Sequence, residues 1–200
     1  MTILKRFTTL VITLSICVGA VWAGDVEDAD AALQKKDYAT ALKKYKSAAV
    51  KNDAYAQVQV GNFYNSNSYG VVQDYAEAVR WYKLAAAQGI SYAQYNLGLM
   101  YEDGRGVVQD YAEAVRWYKL AAAQGDAKAQ TNLGVMYAHG QGVLQNNVQA
   151  HMWFNIAAVK GDKDAVKNRD IAASKMTTEQ IGQAQRLAKE CQARNYKNCE

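Results

Sequence analysis

Apolar residues along this chain recur at the spacing of an α-helix. After Asp74, the positions Ala78, Tyr82, Ala85 and Ala86 fall at i, i+4, i+7 and i+8, which places them on one helical face. A second run after residue 90 has the same spacing, and no stretch alternates with the period of two that strands require. The pattern therefore predicts helices throughout and no sheet.

The same pair of helical runs recurs along the chain. Residues 71–89 read VVQDYAEAVRWYKLAAAQG, and residues 107–125 repeat all 19 letters at an offset of 36. A diverged copy covers 143–161, and a looser one covers 37–49. A period of 20–50 residues is typical of solenoids and related arrays. We therefore predict an all-α, right-handed superhelical solenoid of antiparallel helix pairs.

Polar residues mark where these helices begin. Asp74, Asp110 and Asn146 precede helical runs, and a side-chain oxygen at that position accepts a hydrogen bond from a free amide of the first turn. Ile90 stands where the other repeats carry Asp, so we expect the cap to shift there to Ser91.

The residues that carry the repeat resemble a known family. The pattern Ala93-Gln94-x-x-Leu97-Gly98-x-x-Tyr101, then Gly104-x-Gly106-Val107, then Asp110-x-x-x-Ala114-x-x-Trp117-Tyr118-x-x-Ala121-Ala122-x-x-Gly125, is similar to the Sel-one-like repeat of tetratricopeptide-like α-solenoids. The likeness covers Ala54 to Gly161. It implies a degenerate tetratricopeptide-like cap over 24–53, repeats over 54–89, 90–125 and 126–161, and capping helices with a cysteine-stapled tail over 162–200.

The first 23 residues predict export. Lys5 and Arg6 precede an apolar stretch over 8–20, and Val21-Trp22-Ala23 suits a signal peptidase, so we expect cleavage after Ala23. A membrane anchor is disfavoured because the stretch is shorter than the ~20 residues of a spanning helix. A lipoprotein site at Cys17 is also disfavoured, because bulky Ile16 precedes it. The mature protein is predicted to be periplasmic or secreted.

Cysteine content agrees with that location. Cleavage leaves Cys191 and Cys199, and an even pair in an exported chain predicts a disulfide closing a loop of about nine residues. Two free thiols are the alternative. A metal site is disfavoured because no further Cys or nearby His completes one.

Charge and motifs narrow the function. Lys5 and Arg6 leave with the signal, so 21 basic residues face 19 acidic ones, a net charge of +2. That balance argues against nucleic-acid binding and against an anionic membrane surface. The sequence contains no Ser-x-x-Lys, phosphate-binding glycine loop or metalloprotease helix, so we predict no catalytic residues, no metal and no cofactor.

The resemblance implies a protein-interaction scaffold, not an enzyme, with a protein or peptide as partner. Some cysteine-rich relatives are described as penicillin-binding or β-lactamase-like, which leaves an envelope enzyme as one alternative. Those relatives carry paired cysteines in every repeat, whereas no full repeat of this chain contains cysteine. A structural component of an envelope complex is the other alternative.

By resemblance to tetratricopeptide arrays, the helix carrying Leu-Gly-x-x-Tyr lines a concave groove. Helical geometry then predicts which side chains point into it. The candidate partner-binding residues are Tyr55, Asn62, Asn65, Tyr92, Tyr95, Leu99, Glu102, Lys128, Thr131 and His139. Tyrosine supplies large contact area, so we expect a peptide to be held mainly by Tyr55, Tyr92 and Tyr95, with packing between repeats as the alternative role of these rings.

Overall fold

The structure, a computed structural model, describes residues 24–199, and its regular secondary structure over them is all α-helical. The signal peptide predicted over 1–23 lies outside the described residues. The first described helix, α1, covers 24–34. The others are α2 (Tyr38–Ala49), α3 (Ala54–Asn65), α4 (Tyr75–Ala87), α5 (Ser91–Asp103), α6 (Tyr111–Ala122), α7 (Ala127–His139), α8 (Asn147–Val159), α9 (Lys163–Ala173) and α10 (Thr178–Ala193).

Consecutive helices pack as hairpins, which confirms the predicted all-α solenoid of antiparallel helix pairs. The chain forms two compact units, with the boundary between Trp81 and Tyr82. Among residues 24–199, no helix has both the length and the apolar character needed to cross a bilayer.

The first unit is held together by buried aromatic residues and by one carboxylate. Tyr45, Phe63 and Trp81 are buried with small alanines from the first three helices. Asp25 on α1 accepts hydrogen bonds from Lys51 at 2.9 Å and from Ser47 at 2.8 Å. These bonds, with Lys51 first, hold the pKa of the Asp25 carboxyl down at about 2.

In the second unit, glycine allows neighbouring helices to approach closely. A Cβ built on Gly98 of α5 would lie 2.3 Å from Cε1 of Tyr118 on α6. A Cβ on Gly134 of α7 would lie 2.6 Å from Cε1 of Phe154 on α8. The Leu-Gly pair of the repeat thus leaves room for an aromatic ring of the next helix.

A buried glutamine ties each repeat to the helix before it. The Nε2 atoms of Gln94 and Gln130 donate to the backbone oxygens of Ala86 and Ala122 at 3.2 and 3.1 Å. Those carbonyls lie at helix C-termini, where backbone acceptors lack partners within the helix. The glutamine therefore serves packing and is unavailable to a ligand.

The helix starts agree with the predicted caps at three positions and disagree at one. The Asp74 side chain accepts a hydrogen bond from the backbone amide of Glu77 at 3.0 Å. The side chains of Asp110 and Asn146 each accept bonds from two backbone amides of α6 and α8. The predicted shift of the cap to Ser91 is wrong, because α5 begins after Ile90, which makes no side-chain cap bond. The Ser91 hydroxyl is buried without a partner in the described structure.

The predicted disulfide between Cys191 and Cys199 is present, with Cα atoms 5.0 Å apart. It folds the tail back from α10 towards the helices of the second and third repeats. The ring of Tyr196 lies 4.0 Å from the Lys160 ammonium, and that ammonium also donates to the backbone oxygen of Gly125 at 2.5 Å.

Candidate protein-binding surface

One row of aliphatic side chains runs across the second unit at the repeat spacing. Leu99, Val135 and Ile171 follow one another at intervals of 36 residues, on α5, α7 and α9. Leu99 and Val135 are half-buried against the core, and Ile171 is exposed. Ile171 was missed at the sequence level because α9 lacks the Leu-Gly motif. The 36-residue interval alone identifies it.

Tyr92 and Tyr95 lie on the same helix but differ in exposure. Tyr92 is 49% exposed. The Tyr95 ring is half-buried, with its centroid 6.1 Å from that of Tyr118. Burial raises the pKa of Tyr95, so its hydroxyl stays protonated at neutral pH. Tyr92 is therefore the residue of this pair with more surface to offer a partner.

Glu102 supports the interior of the second unit. One carboxylate oxygen accepts a hydrogen bond from the Tyr118 hydroxyl at 2.5 Å, and Asn132 donates to that hydroxyl at 3.1 Å. Burial, followed by this carboxylate, raises the pKa of Tyr118. Glu102 therefore joins α5 to α6, and only its remaining surface is open to a partner.

The three predicted residues of the third repeat differ in accessibility. Lys128 and His139 are exposed. The Nδ1 atom of His139 contacts the backbone oxygen of Val135 at 3.1 Å. Thr131 is only 5% exposed, and its hydroxyl donates to the backbone oxygen of Ala127 at 3.0 Å. Thr131 therefore presents almost no surface, and we leave it out of the proposed site.

The predicted residues Tyr55, Asn62 and Asn65 belong to the first unit. Tyr55 is 47% exposed, and its hydroxyl donates to Asp30 at 3.2 Å. Asn62 donates to Gln59 at 3.4 Å. The side-chain oxygen of Asn65 is buried and has no partner in the described structure. Tyr55 keeps much of its ring exposed while its hydroxyl donates to a carboxylate on α1.

The C-terminal helix leaves the aliphatic row accessible. In the described structure α10 packs chiefly against α8. The aliphatic row lies on the other helices α5, α7 and α9. The disulfide-closed tail that follows α10 borders a separate cavity of about 780 Å³ beside α6, with Trp153 and Tyr196 in the wall.

Ionisable groups are dispersed through the described structure. Residues 24–199 contain no cluster of three His, Cys, Asp or Glu side chains able to hold a metal ion. His151 is buried beside the core of the third repeat, and its Nδ1 has no partner among these residues. Burial, and then the charge of Arg169, lower the pKa of His151, so the ring is neutral at pH 7.

Known proteins resemble this chain in sequence and in structure. The family model for the Sel1 repeat matches residues 54–90, 91–126 and 127–162. One similar structure is c5321, a protective antigen of uropathogenic Escherichia coli strains with an SLR fold. It is 33% identical with a TM-score of 0.70, over 78% of this chain and 34% of that one. The present chain thus spans about a third of the length of that antigen.

Two further structures are similar. A Sel1 repeat protein from Oxalobacter formigenes is 30% identical with a TM-score of 0.64, over 83% of this chain and 75% of that one. Cysteine rich protein B of Helicobacter pylori is 27% identical with a TM-score of 0.51, over 66% of this chain and 95% of that one. No curated protein matches the chain. Sel1 repeat proteins generally act as protein-interaction scaffolds and are typically not enzymes.

Proposed function

Because this chain belongs to the Sel1 repeat family, we propose that it is a non-catalytic scaffold of the bacterial envelope or exterior that binds an extended segment of another protein. In the second unit, the proposed site is the surface formed by α5, α7 and α9. Tyr92 and the aliphatic row Leu99, Val135 and Ile171 form its apolar part. Tyr55 is the corresponding exposed ring of the first unit.

A comparison of two consecutive 36-residue segments, 71–106 and 107–142, carries this proposal. Helices α4 and α6 have the same sequence over Tyr111–Ala122 and its counterpart, even at exposed positions such as Leu84 and Leu120. The helices that follow them, α5 and α7, differ at six of 13 positions. The differing pairs are Ser91 and Ala127, Tyr92 and Lys128, Tyr95 and Thr131, Leu99 and Val135, Glu102 and Ala138, and Asp103 and His139.

The positions that α5 and α7 share have a structural reason to stay the same. They include Leu97 and Leu133, which are fully buried, and the glycines that accommodate aromatic rings. Most of the differences therefore fall on the helix surface that contains the predicted binding residues, while the preceding helix is unchanged. Variation on this one helix of a duplicated segment supports a partner contact there.

Export is the second part of the proposal. The predicted signal peptide over 1–23 supports it, and so does the disulfide between Cys191 and Cys199, since such bonds persist in oxidising compartments. The bacterial relatives are compatible with the same location. Mass spectrometry of the periplasmic and culture fractions should find a mature N-terminus at Gly24. Recovery of the intact chain from the cytoplasm alone would contradict export.

Site-specific crosslinking tests the proposed surface. A photoreactive amino acid at Tyr92 on α5 is compared with one at Leu120. Leu120 has a similar exposure of 43% but lies on α6, outside the proposed surface. We expect position 92, and not position 120, to give a discrete crosslinked protein in living cells, identified by mass spectrometry. The Tyr92→Ala substitution should reduce the yield from a second probe at Ile171. Equal products at 92 and 120 would place the partner elsewhere.

A further inference from the structure

A small cavity interrupts the proposed surface where α7, α8 and α9 meet. Its volume is about 80 Å³. Phe154, Val135 and Ala138 provide an apolar floor, and Ile171 provides one wall. One water occupies about 30 Å³ of the liquid, so the cavity has room for a few waters or for one branched aliphatic side chain. Its apolar residues suit a branched aliphatic side chain, and its polar lining residues are His139, Asn147, Asn168 and Lys175.

Three side chains that line this cavity carry hydrogen-bond donors without a partner in the described protein. They are those of Asn147, Asn168 and Lys175. Over residues 24–199 none of the three side chains makes a hydrogen bond or an ion pair. Each carries N–H groups, and the lysine adds a positive charge. These side chains therefore offer two amides and one ammonium to an acceptor that the described part of the chain does not supply.

The surrounding charge favours an anionic acceptor. Residues 127–175 contain six Lys or Arg and three Asp, whereas residues 91–126 contain three Lys or Arg and five Asp or Glu. Asp170 pairs with Arg169 at 2.9 Å, which offsets one charge of each sign. Residues 127–175, which include those that line the cavity, thus carry a net charge of 6 − 3 = +3, whereas residues 91–126 carry 3 − 5 = −2.

We propose that this cavity binds an aliphatic side chain of the partner, with an adjacent carboxylate held by Lys175 and Asn168. The inference rests on the proposed function and specifies the chemistry of the bound segment. An ammonium and a side-chain amide suit a carboxylate, which accepts several hydrogen bonds. The carboxylate is that of an Asp or Glu side chain beside the aliphatic residue, because the proposed occupant is an extended segment of the partner.

Synthetic peptides test this chemistry on the mature chain, residues 24–200. The parent probe is a fluorescein-labelled Gly-Ser-Gly-Ser-Asp-Leu with a free C-terminus, and binding is measured by fluorescence anisotropy. Leu→Ser and Asp→Asn versions remove the two recognised groups, and an amidated version removes only the terminal charge. Loss of binding on Asp→Asn with binding retained on amidation supports the proposal. Loss on amidation with binding retained on Asp→Asn overturns it in favour of a terminal carboxylate.

Protein variants locate the binding. Lys175→Gln should weaken the parent peptide about tenfold or more, which corresponds to about 1.4 kcal/mol. Ile171→Ser should weaken it without affecting folding, because Ile171 is 47% exposed. Lys163→Gln removes the same charge at the other end of α9 and should leave binding within about twofold. Circular dichroism confirms that each variant is folded.

The outcomes separate this inference from the function on which it rests. Absence of peptide binding at millimolar concentration overturns the inference. Equal binding of parent and Leu→Ser peptides, or equal loss from Lys175→Gln and Lys163→Gln, overturns it as well. In each case, crosslinking at Tyr92 would still support the scaffold. If the probe at Tyr92 gives no crosslinked protein in cells while the peptide still binds, the result counts against the proposed surface on α5, α7 and α9 and not against the cavity.

Discussion

Replacing Gly98 by Ala tests how the repeats pack. The added Cβ would lie 2.3, 2.4 and 2.9 Å from Cε1, Cδ1 and Cζ of Tyr118. Carbon atoms in contact lie about 3.5–4.0 Å apart, so the ring or the helix must move by about 1 Å or more. The ring is poorly placed to move, because Tyr118 is fully buried and its hydroxyl is bound to Glu102 and Asn132.

Two opposing contributions set the expected loss of stability. Overpacking a core costs about 1–3 kcal/mol, and the tethered ring places this substitution at the upper end. Alanine favours a helix over glycine by about 1 kcal/mol, which offsets part of that cost. We therefore expect a net loss of about 2 kcal/mol in the free energy of unfolding. For a chain of this size, that loss corresponds to a decrease in Tm of about 4–8 °C.

Urea denaturation followed by circular dichroism at 222 nm measures this change, and two variants provide controls. Gly182→Ala adds the same methyl group in α10, where the nearest atom is a flexible Arg186 nitrogen at 3.6 Å. It should stabilise the protein by up to about 1 kcal/mol. Tyr118→Phe frees the ring, so the Gly98→Ala and Tyr118→Phe changes together should cost less than their sum. A Gly98→Ala variant as stable as Gly182→Ala would refute the packing argument.

Three further predictions concern the ends of the chain and its buried histidine. Replacing Cys191 and Cys199 by Ser should destabilise the protein by about 2–3 kcal/mol from the entropy of the loop, measured by urea denaturation with and without reductant. The lowered pKa of Asp25 means that its stabilising effect is complete above about pH 4 and is lost as the pH falls towards 2. Asp25→Asn should flatten that part of the pH–stability curve, and an unchanged slope would contradict the assignment. The lowered pKa of His151 means that stability falls as the pH drops below about 6.5, and His151→Gln should remove that slope.

Periodicity was sufficient to predict the architecture, because each structural requirement recurs every 36 residues. The apolar spacing identified the helices, and Asp110 and Asn146 identified two of their starts. The pair Cys191 and Cys199 was also correctly joined. These features depend on neighbours in sequence or on repeats of one pattern, so the amino-acid sequence alone is enough to predict them.

The start of α5 shows that the capping side chain alone does not determine where a helix begins. Ile90 occupies the N-cap position without a side-chain cap bond. The amide of Ile90 donates to the backbone oxygen of Ala85 at 3.2 Å, and the amide of Asp126 donates to that of Ala121 at the same distance. Gly89 and Gly125 have the same φ of +86° before these residues. The loop geometry therefore fixes where the next helix begins, and the loss of a capping carboxylate does not shift it.

The binding surface was harder to predict because the exposure of a side chain depends on its length and its neighbours. Tyr95 and Thr131 occupy equivalent positions, yet the long tyrosine is half-buried and the short threonine is almost fully buried. Ile171 was not found because α9 no longer carries the residues that a repeat needs for packing. Both differences arise from contacts between helices, which the spacing of residues in the sequence does not predict.

The loss of those packing residues also explains where the array of repeats ends. Val166 stands in α9 where Gln94 and Gln130 stand in α5 and α7, and it is 39% exposed instead of buried. Asp170 replaces the glycine of the Leu-Gly pair, so no ring of a following helix can pack there as Phe154 packs on α7. With its packing role reduced, α9 can carry exposed Ile171 and unpaired donors beside the cavity. The loss of packing residues thus leaves more of the α9 surface free to contact a partner.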